Sequence, residues 1–281
     1  MMAAAKGHSM AYSNIITLTT DFGESDHLVA VMRGVILSIN QDAKLVDICH
    51  QVKAFDVWDG AFTLAEACSY FPPGTIHVVV VDPGVGSSRR PLLAQTRRHA
   101  FIAPDNGVLS LVYRNESPVE VRHITEQAYF RQPASATFHG RDVFAPCAGW
   151  LSRGVAPEKL GPVIEDYVRL EFAAPRRVQD GTLEGVVLRV DRFGNLMTNL
   201  TLDDAPELGA QPAAPVRLWI NRRQVTRAVE YYGMGRPGEP FMIVGSSGYL
   251  EVSVNRGSAS QALGADAGTP VRLEMGGGSS S

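Results

Sequence analysis

The sequence predicts an α/β fold in two parts, a mostly parallel sheet covered by helices and then a small β-barrel or sandwich. Three observations predict it. Short β-rich runs alternate with helical stripes through the first half. One of those runs, Ile76–Val81 (IHVVVV), is unbroken and β-branched, the mark of a strand buried on both faces. The second half shows only short strands between Gly, Pro and Asn turns, with no long amphipathic helix.

Taken in order, Ile15–Thr20 (IITLTT) is a strand that ends at the turn Asp21-Phe22-Gly23. Leu28, Val29, Met32, Val35, Ile36 and Ile39 recur at helical spacing, so residues 26–40 read as a helix with Asp26 placed to cap it. Leu45–Ile48 is a second strand, and residues 59–71 a second helix stopped by Pro72-Pro73. Strand Ile76–Val81 runs into Asp82-Pro83-Gly84-Val85-Gly86, and strand Ala100–Ala103 into Pro104-Asp105-Asn106-Gly107. Ala173–Asp180 reads as a linker. Beyond it, Gly181–Arg192, Val216–Ile220, Gln224–Val229, Phe241–Val244 and Tyr249–Val254 read as strands. The domains therefore cover residues 14–174 and 181–275, with flexible ends at 1–13 and 276–281.

Bulk composition narrows the function classes. The 281 residues are 45% hydrophobic and 20% charged, with a net charge of -3 and scattered arginine pairs, which gives no reason to expect nucleic acid or an anionic membrane as partner. No apolar run approaches the ~20 residues of a membrane span, and the N-terminus lacks a signal-peptide core. Three cysteines (Cys49, Cys68, Cys147) without C-x-x-C spacing argue against a disulfide framework or thiolate zinc site and fit a reducing cytoplasm.

Ligands of open parallel sheets bind beyond the carboxyl ends of the strands. Asp21, Asp82 and Asp105 all fall at such ends, each followed by glycine within two residues, and together they point to a shared site. The loop Asp82–Arg90 fails both the G-x-G-x-x-G and the P-loop pattern. It instead places Asp82 and Arg89 seven residues apart across a glycine turn that can fold them together, as a reactive pair or as a loop-pinning ion pair. Thr137-Phe138-His139-Gly140-Arg141-Asp142 combines an imidazole with a glycine that lets a ligand approach the backbone. Asp142 reads as a partner of Arg141 or a helix cap; no second histidine stands at metal-ligand spacing, and there is no G-x-S-x-G elbow. In the β-rich half, Asp191 to Asn199 offers either a hairpin loop or an amide edge for a purine, and Ser246 to Glu251 a turn with one carboxylate.

Six segments in order, TDFGESD (20–26), VVDPGVGSSRR (80–90), APDNGVL (103–109), TFHGRDVFAP (137–146), DRFGNLMTN (191–199) and SSGYLEVSVN (246–255), resemble the adenosine-forming S-adenosylmethionine hydrolases, or S-adenosylmethionine hydroxide adenosyltransferases. These are relatives of the fluorinase and chlorinase. The resemblance implies an N-terminal Rossmann-like domain, a C-terminal β-barrel, and homotrimers with active sites between subunits. It implies attack of water or hydroxide on the ribose C5′ of S-adenosylmethionine, giving adenosine and L-methionine with no cofactor. By position, Asp82, Arg89 and His139 are the catalytic group. Asp21 is implied for the ribose hydroxyls, Asp26 for the methionine ammonium, Phe55 for packing on the nucleoside, Asp191 for methionine and Asn195 for adenine. Ser246, Glu251 and the backbone near Val254 are implied to complete the wall from the barrel. Either Asp82 or His139 accepts the proton on this reading. Halogenating relatives carry tyrosine where His139 stands and lack the Asp82–Arg89 pair, and the fluorinase has serine for Gly140, so hydroxide is the implied nucleophile. Where halogenases hold the methionine carboxylate with arginine, this chain has Ser247. The competing expectations are a chlorinase, for which Gly140 leaves room, and a non-catalytic adenosine or S-adenosylmethionine binder.

Overall fold

The computed structural model describes residues 12–116, 119–178, 181–209 and 216–275. The chain forms two compact units, one up to Glu171 and one from Phe172 onward.

In the first unit, strands β1 (Ile15–Thr20), β2 (Lys44–Cys49), β3 (Ile76–Val80), β4 (Pro91–Gln95), β5 (Ala100–Pro104) and β6 (Glu120–His123) form one sheet in the order β2-β1-β3-β5-β4-β6. The first four in that order are parallel neighbours, and β4 runs antiparallel between β5 and β6. Helices α1 (Leu28–Ile39), α2 (Val57–Cys68), α3 (Ser110–Asn115) and α4 (Ala145–Ser152) cover it. The unbroken run of β3 is explained by burial on both faces. Ile76, Val78 and Val80 pack with Met32 and Ile36 of α1 and with Cys147, Ala148 and Leu151 of α4. Val79 points the other way, into a second core with Leu64 of α2 and Val112 of α3. Period-two alternation thus gives each face its own apolar layer.

Three local expectations are corrected. Asp26 does not cap α1: the N-cap position is His27, which makes no side-chain cap hydrogen bond, and Asp26 Oδ1 instead accepts the backbone N–H of His27 at 2.6 Å. The second helix starts earlier than its apolar stripe, because the Asp56 carboxylate accepts the N–H groups of Trp58 and Asp59, both at 3.1 Å. Tyr12 and Ser13, placed by sequence in a flexible end, are tied down: the Tyr12 hydroxyl accepts from Gln95 Nε2 at 2.5 Å, and Ser13 N donates to Gly74 O at 2.9 Å. The remaining end residues lie outside the described residues.

The second unit is a nearly closed antiparallel barrel. Beyond the two-residue β7 (Arg176–Arg177), its strands are β8 (Thr182–Val190), β9 (Leu196–Thr201), β10 (Val216–Ile220), β11 (Arg223–Val225), β12 (Pro240–Val244), β13 (Tyr249–Val254) and β14 (Pro270–Met275). Their order is β11-β10-β14-β8-β9-β13-β12. Residues after β11 close the ring on β12: Met242 N donates to Arg227 O at 2.7 Å, and Val229 N to Met242 O at 3.0 Å. The interior is filled by alternating residues such as Leu196, Leu218, Met242, Val252 and Leu273.

Candidate active site

Strand order reverses at β1. Its parallel neighbours are β2 on one side and β3 on the other, with α1 leading from β1 to β2. The chain leaves β1 and β3 in opposite lateral directions and opens a crevice at their carboxyl ends, where such sheets bind ligands. Asp21 follows β1, Asp82 follows β3, and both line one cavity of about 520 Å³ together with Phe55, Phe138, His139 and Arg141. That volume suits a drug-sized or nucleoside-sized ligand.

Arg89 folds back across the glycine turn onto Asp82. Its Nε donates to Asp82 Oδ1 at 3.0 Å, and its Nη2 donates to Asp82 Oδ2. The same Nη2 lies 2.7 Å from His139 Nδ1. Both members of the ion pair are buried, with side-chain exposures of 7% for Arg89 and 4% for Asp82. The Arg89 guanidinium also sits over the Phe144 ring, 5.3 Å from its centroid. Burial first, and Arg89 second, hold the His139 imidazole below its ordinary pKa, against the opposing pull of Asp82 and Asp142. The site therefore presents a carboxylate, a buried guanidinium and a neutral imidazole as one hydrogen-bonded cluster.

Gly86, at φ +79°, brings the Asp82 loop against the loop that carries His139; a Cβ there would lie 2.4 Å from Ala136 O. Asp21 is held differently, its Oδ2 accepting the backbone N–H of Phe55 at 2.9 Å. Phe55 itself has φ +65° and is 73% exposed, so its ring stands free at the cavity wall.

Asp105 is not part of this cavity. Its carboxylate accepts from Arg90 Nε at 2.8 Å and from Val168 N at 2.8 Å, which makes it a brace for the chain beyond β6. The adjacent Arg89 and Arg90 thus serve opposite tasks. Gly140 lines the cavity, but the side a Cβ would occupy is filled: it would meet Met32 Sδ and Phe138 Cε2, each at 3.1 Å. Asp26 is exposed on the loop before α1 and does not line the cavity.

On the barrel, Asp191 organises its own turn. Its Oδ1 accepts the N–H groups of Phe193 and Asn195, and its Oδ2 accepts from Asn195 Nδ2, all at 2.8 Å. Glu251 is buried and accepts the Tyr232 hydroxyl at 2.9 Å. Burial and the nearby Asp191 push the Glu251 carboxyl up, against the lowering effect of that hydrogen bond. Ser246 is exposed at the turn between β12 and β13, and the Val254 side chain belongs to the barrel core. Sequence reasoning missed Tyr232, which lies outside the six segments. It also treated Arg141 only as a partner of Asp142, although Arg141 lines the cavity as well. Among the described residues, no group of three or more His, Cys, Asp or Glu side chains is gathered to hold a metal ion.

The models of the SAM (S-adenosylmethionine) hydroxide adenosyltransferase N-terminal and C-terminal domains match residues 16–161 and 185–272. The chain belongs to this family. A (R)-S-adenosyl-L-methionine hydrolase from Thermus thermophilus is 39% identical over 263 residues, covering 90% of this chain and 97% of its own length. The hydrolase of the same name from Salinispora tropica is 35% identical, covering 95% of this chain and all of its own. A fluorinase from Actinopolyspora mzabensis is more distant, 25% identical over 94% of this chain and 99% of its own. Among solved structures, a conserved protein from Thermotoga maritima superposes with a TM-score of 0.85 at 36% identity, covering 92% of this chain and 99% of the other.

Proposed function

We propose that this family member hydrolyses S-adenosyl-L-methionine to adenosine and L-methionine by attack of water or hydroxide at ribose C5′. The observation that carries this reading is the buried Asp82–Arg89–His139 cluster at the wall of the switch-point cavity. The hydrolase names of the relatives at 35–39% identity support it.

The chemistry matches the residues. The C5′–sulfur bond breaks with its electron pair moving to sulfur, and methionine departs as a neutral thioether, so the leaving group needs no acid. No cofactor is called for. The barrier lies with water, whose pKa in bulk is about 15.7. A permanently charged guanidinium favours hydroxide character, and the cluster receives the proton that water gives up. Alignment of the oxygen with the C–S bond supplies proximity, worth roughly 7–11 kcal/mol in well-oriented cases.

In this reading Asp21 accepts from the ribose hydroxyls, Asp26 meets the ammonium, and Phe55 packs on the nucleoside. Asp191, Asn195, Ser246, Glu251 and the backbone near Val254 belong to the barrel contributed by a neighbouring subunit of a homotrimer, Asn195 reading adenine. The domains run over 14–174 and 181–275. A cytoplasmic setting is supported by the three free cysteines, and no helix among the described residues is long and apolar enough to cross a membrane. Turnover of S-adenosylmethionine in ¹⁸O-water tests the proposal. The label is expected in the adenosine 5′-hydroxyl; unlabelled adenosine, or no turnover, overturns it.

A further inference from the structure

We infer that His139 is a fixed hydrogen-bond donor to the attacking water, not the base that takes its proton. The inference rests on the hydrolysis proposed above and assigns the division of labour within the cluster.

It starts from hydrogen-bond inventory. A guanidinium has only N–H donors and keeps its proton in proteins. With Arg89 Nη2 2.7 Å from His139 Nδ1, the imidazole nitrogen must be the acceptor. The single ring proton of the neutral imidazole then sits on Nε2. The alternative tautomer, and the imidazolium, each place an Nδ1–H against the Arg89 N–H, two donors face to face. With Arg89 in place, His139 therefore has no nitrogen at which to receive a proton. Nδ1 is taken by Arg89, and Nε2 already carries hydrogen.

Arg89 cannot easily move away. Its other two contacts are to the buried Asp82 carboxylate, and its guanidinium sits over Phe144. The charged groups acting on His139 are Arg89, Asp82 and Asp142. Arg89 and burial favour the neutral ring, while the two carboxylates favour the charged one, and the balance lies with the neutral form.

Asp82 keeps what His139 lacks. A carboxylate offers about four lone-pair sites, and Arg89 occupies two of them. A water in the cavity can then give one hydrogen to Asp82 and accept Nε2–H from His139. That leaves one lone pair to aim at C5′. As the O–C5′ bond forms and the C5′–S bond breaks, the proton passes to Asp82 and on to solvent.

The tautomer is read directly by long-range ¹⁵N–¹H correlation spectra of the ¹⁵N-histidine-labelled full-length protein. The His139 signals are assigned by their loss in His139→Gln. At neutral pH an unprotonated Nδ1 and a protonated Nε2 are expected; an Nδ1–H tautomer or an imidazolium overturns the inference. Kinetics give a second arm. Gln supplies an N–H donor without a titrating nitrogen, so His139→Gln is expected to turn over more slowly than wild type but at least about tenfold faster than His139→Leu, and to retain the acidic limb of its pH–rate profile. His139→Leu is expected to lose about 100-fold or more, the scale of a lost transition-state donor. Disappearance of the acidic limb in His139→Gln makes His139 the base and overturns the assignment. Absence of any hydrolysis by wild type defeats the proposed function instead, and the spectra still decide the tautomer.

Discussion

The Asp142 carboxylate accepts the backbone N–H of Ser135 at 2.8 Å and so closes the loop that carries His139. Arg141 grips the same carboxylate through Nε and Nη2, both at 2.7 Å, and Arg131 approaches at 3.5 Å. Burial pushes the Asp142 carboxyl up, but these partners outweigh it and hold it below the usual carboxylate range. Asp142→Ala is expected to cost about 1–3 kcal/mol, the scale of orphaned polar groups. It should also lower kcat for S-adenosylmethionine more than it raises KM. Urea melts and steady-state kinetics read the two effects; lost stability with unchanged kcat would show that the loop does not position His139.

His77 stands 0% exposed, accepting or donating through Nδ1 to the Thr17 hydroxyl at 2.7 Å, with its ring stacked on Phe101. Burial, with His99 adding to it, pushes its pKa from 6.5 down to about 3. The unfolded chain binds this proton at the ordinary pKa and the folded chain does not. Stability is therefore fully present above pH 6.5 and falls between 6.5 and about 3, by roughly 1.4 kcal/mol per pH unit for this group. Denaturant melts at pH 7 and pH 5 should show a shallower acid slope in His77→Gln than in wild type.

Arg89→Lys preserves the charge but removes the fork that binds Asp82 twice and His139 once. A fall in kcat of about 100-fold or more is expected, with KM for S-adenosylmethionine changed far less. A variant with near wild-type kcat would mean that charge alone suffices.

Tyr232 donates to Glu251, and that bond works against the burial that raises the Glu251 carboxyl. Burial, with Glu251 adding to it, pushes the Tyr232 hydroxyl up to about 12, so it remains a donor throughout the working range. In Tyr232→Phe the Glu251 carboxyl should rise further. KM should then begin to climb at a higher pH, as acid is added, than in wild type. KM measured against pH decides it; identical curves would remove Glu251 from the binding wall.

Much of the sheet could be read from the sequence because β1 and β3 are short apolar runs with turns at their ends, and the buried face needs no partner to be recognised. The antiparallel insertion could not. Strand β4 opens on Pro91, a residue that ordinarily argues against a central strand. Helix α4 is buried nearly all round, so Ala145–Ser152 shows no polar face from which a helical period can be counted. In the barrel, β14 alternates outward and buried residues but is short and mixed in charge, and β9 follows directly on the turn Asp191–Asn195, whose signal masks its own. For the site, the pairing of Asp82 with Arg89 was legible from glycine spacing, whereas the split between Arg89 and Arg90 was not. Which arginine turns inward depends on Phe144 and Asp105, residues far away in sequence. Asp26 was misread because cap propensity says which residue types suit a helix start, not where the first turn begins.

One guanidinium nitrogen serves both Asp82 and His139. Removing Asp82 orphans a buried guanidinium and removing Arg89 orphans a buried carboxylate, so these two share a single mutational fate. A lineage moving from this site toward a different nucleophile cannot exchange Asp82 and Arg89 one at a time without passing through a protein that holds an unpaired buried charge. The ion pair acts as a ratchet on divergence, and a change of nucleophile requires that both of its members be replaced together.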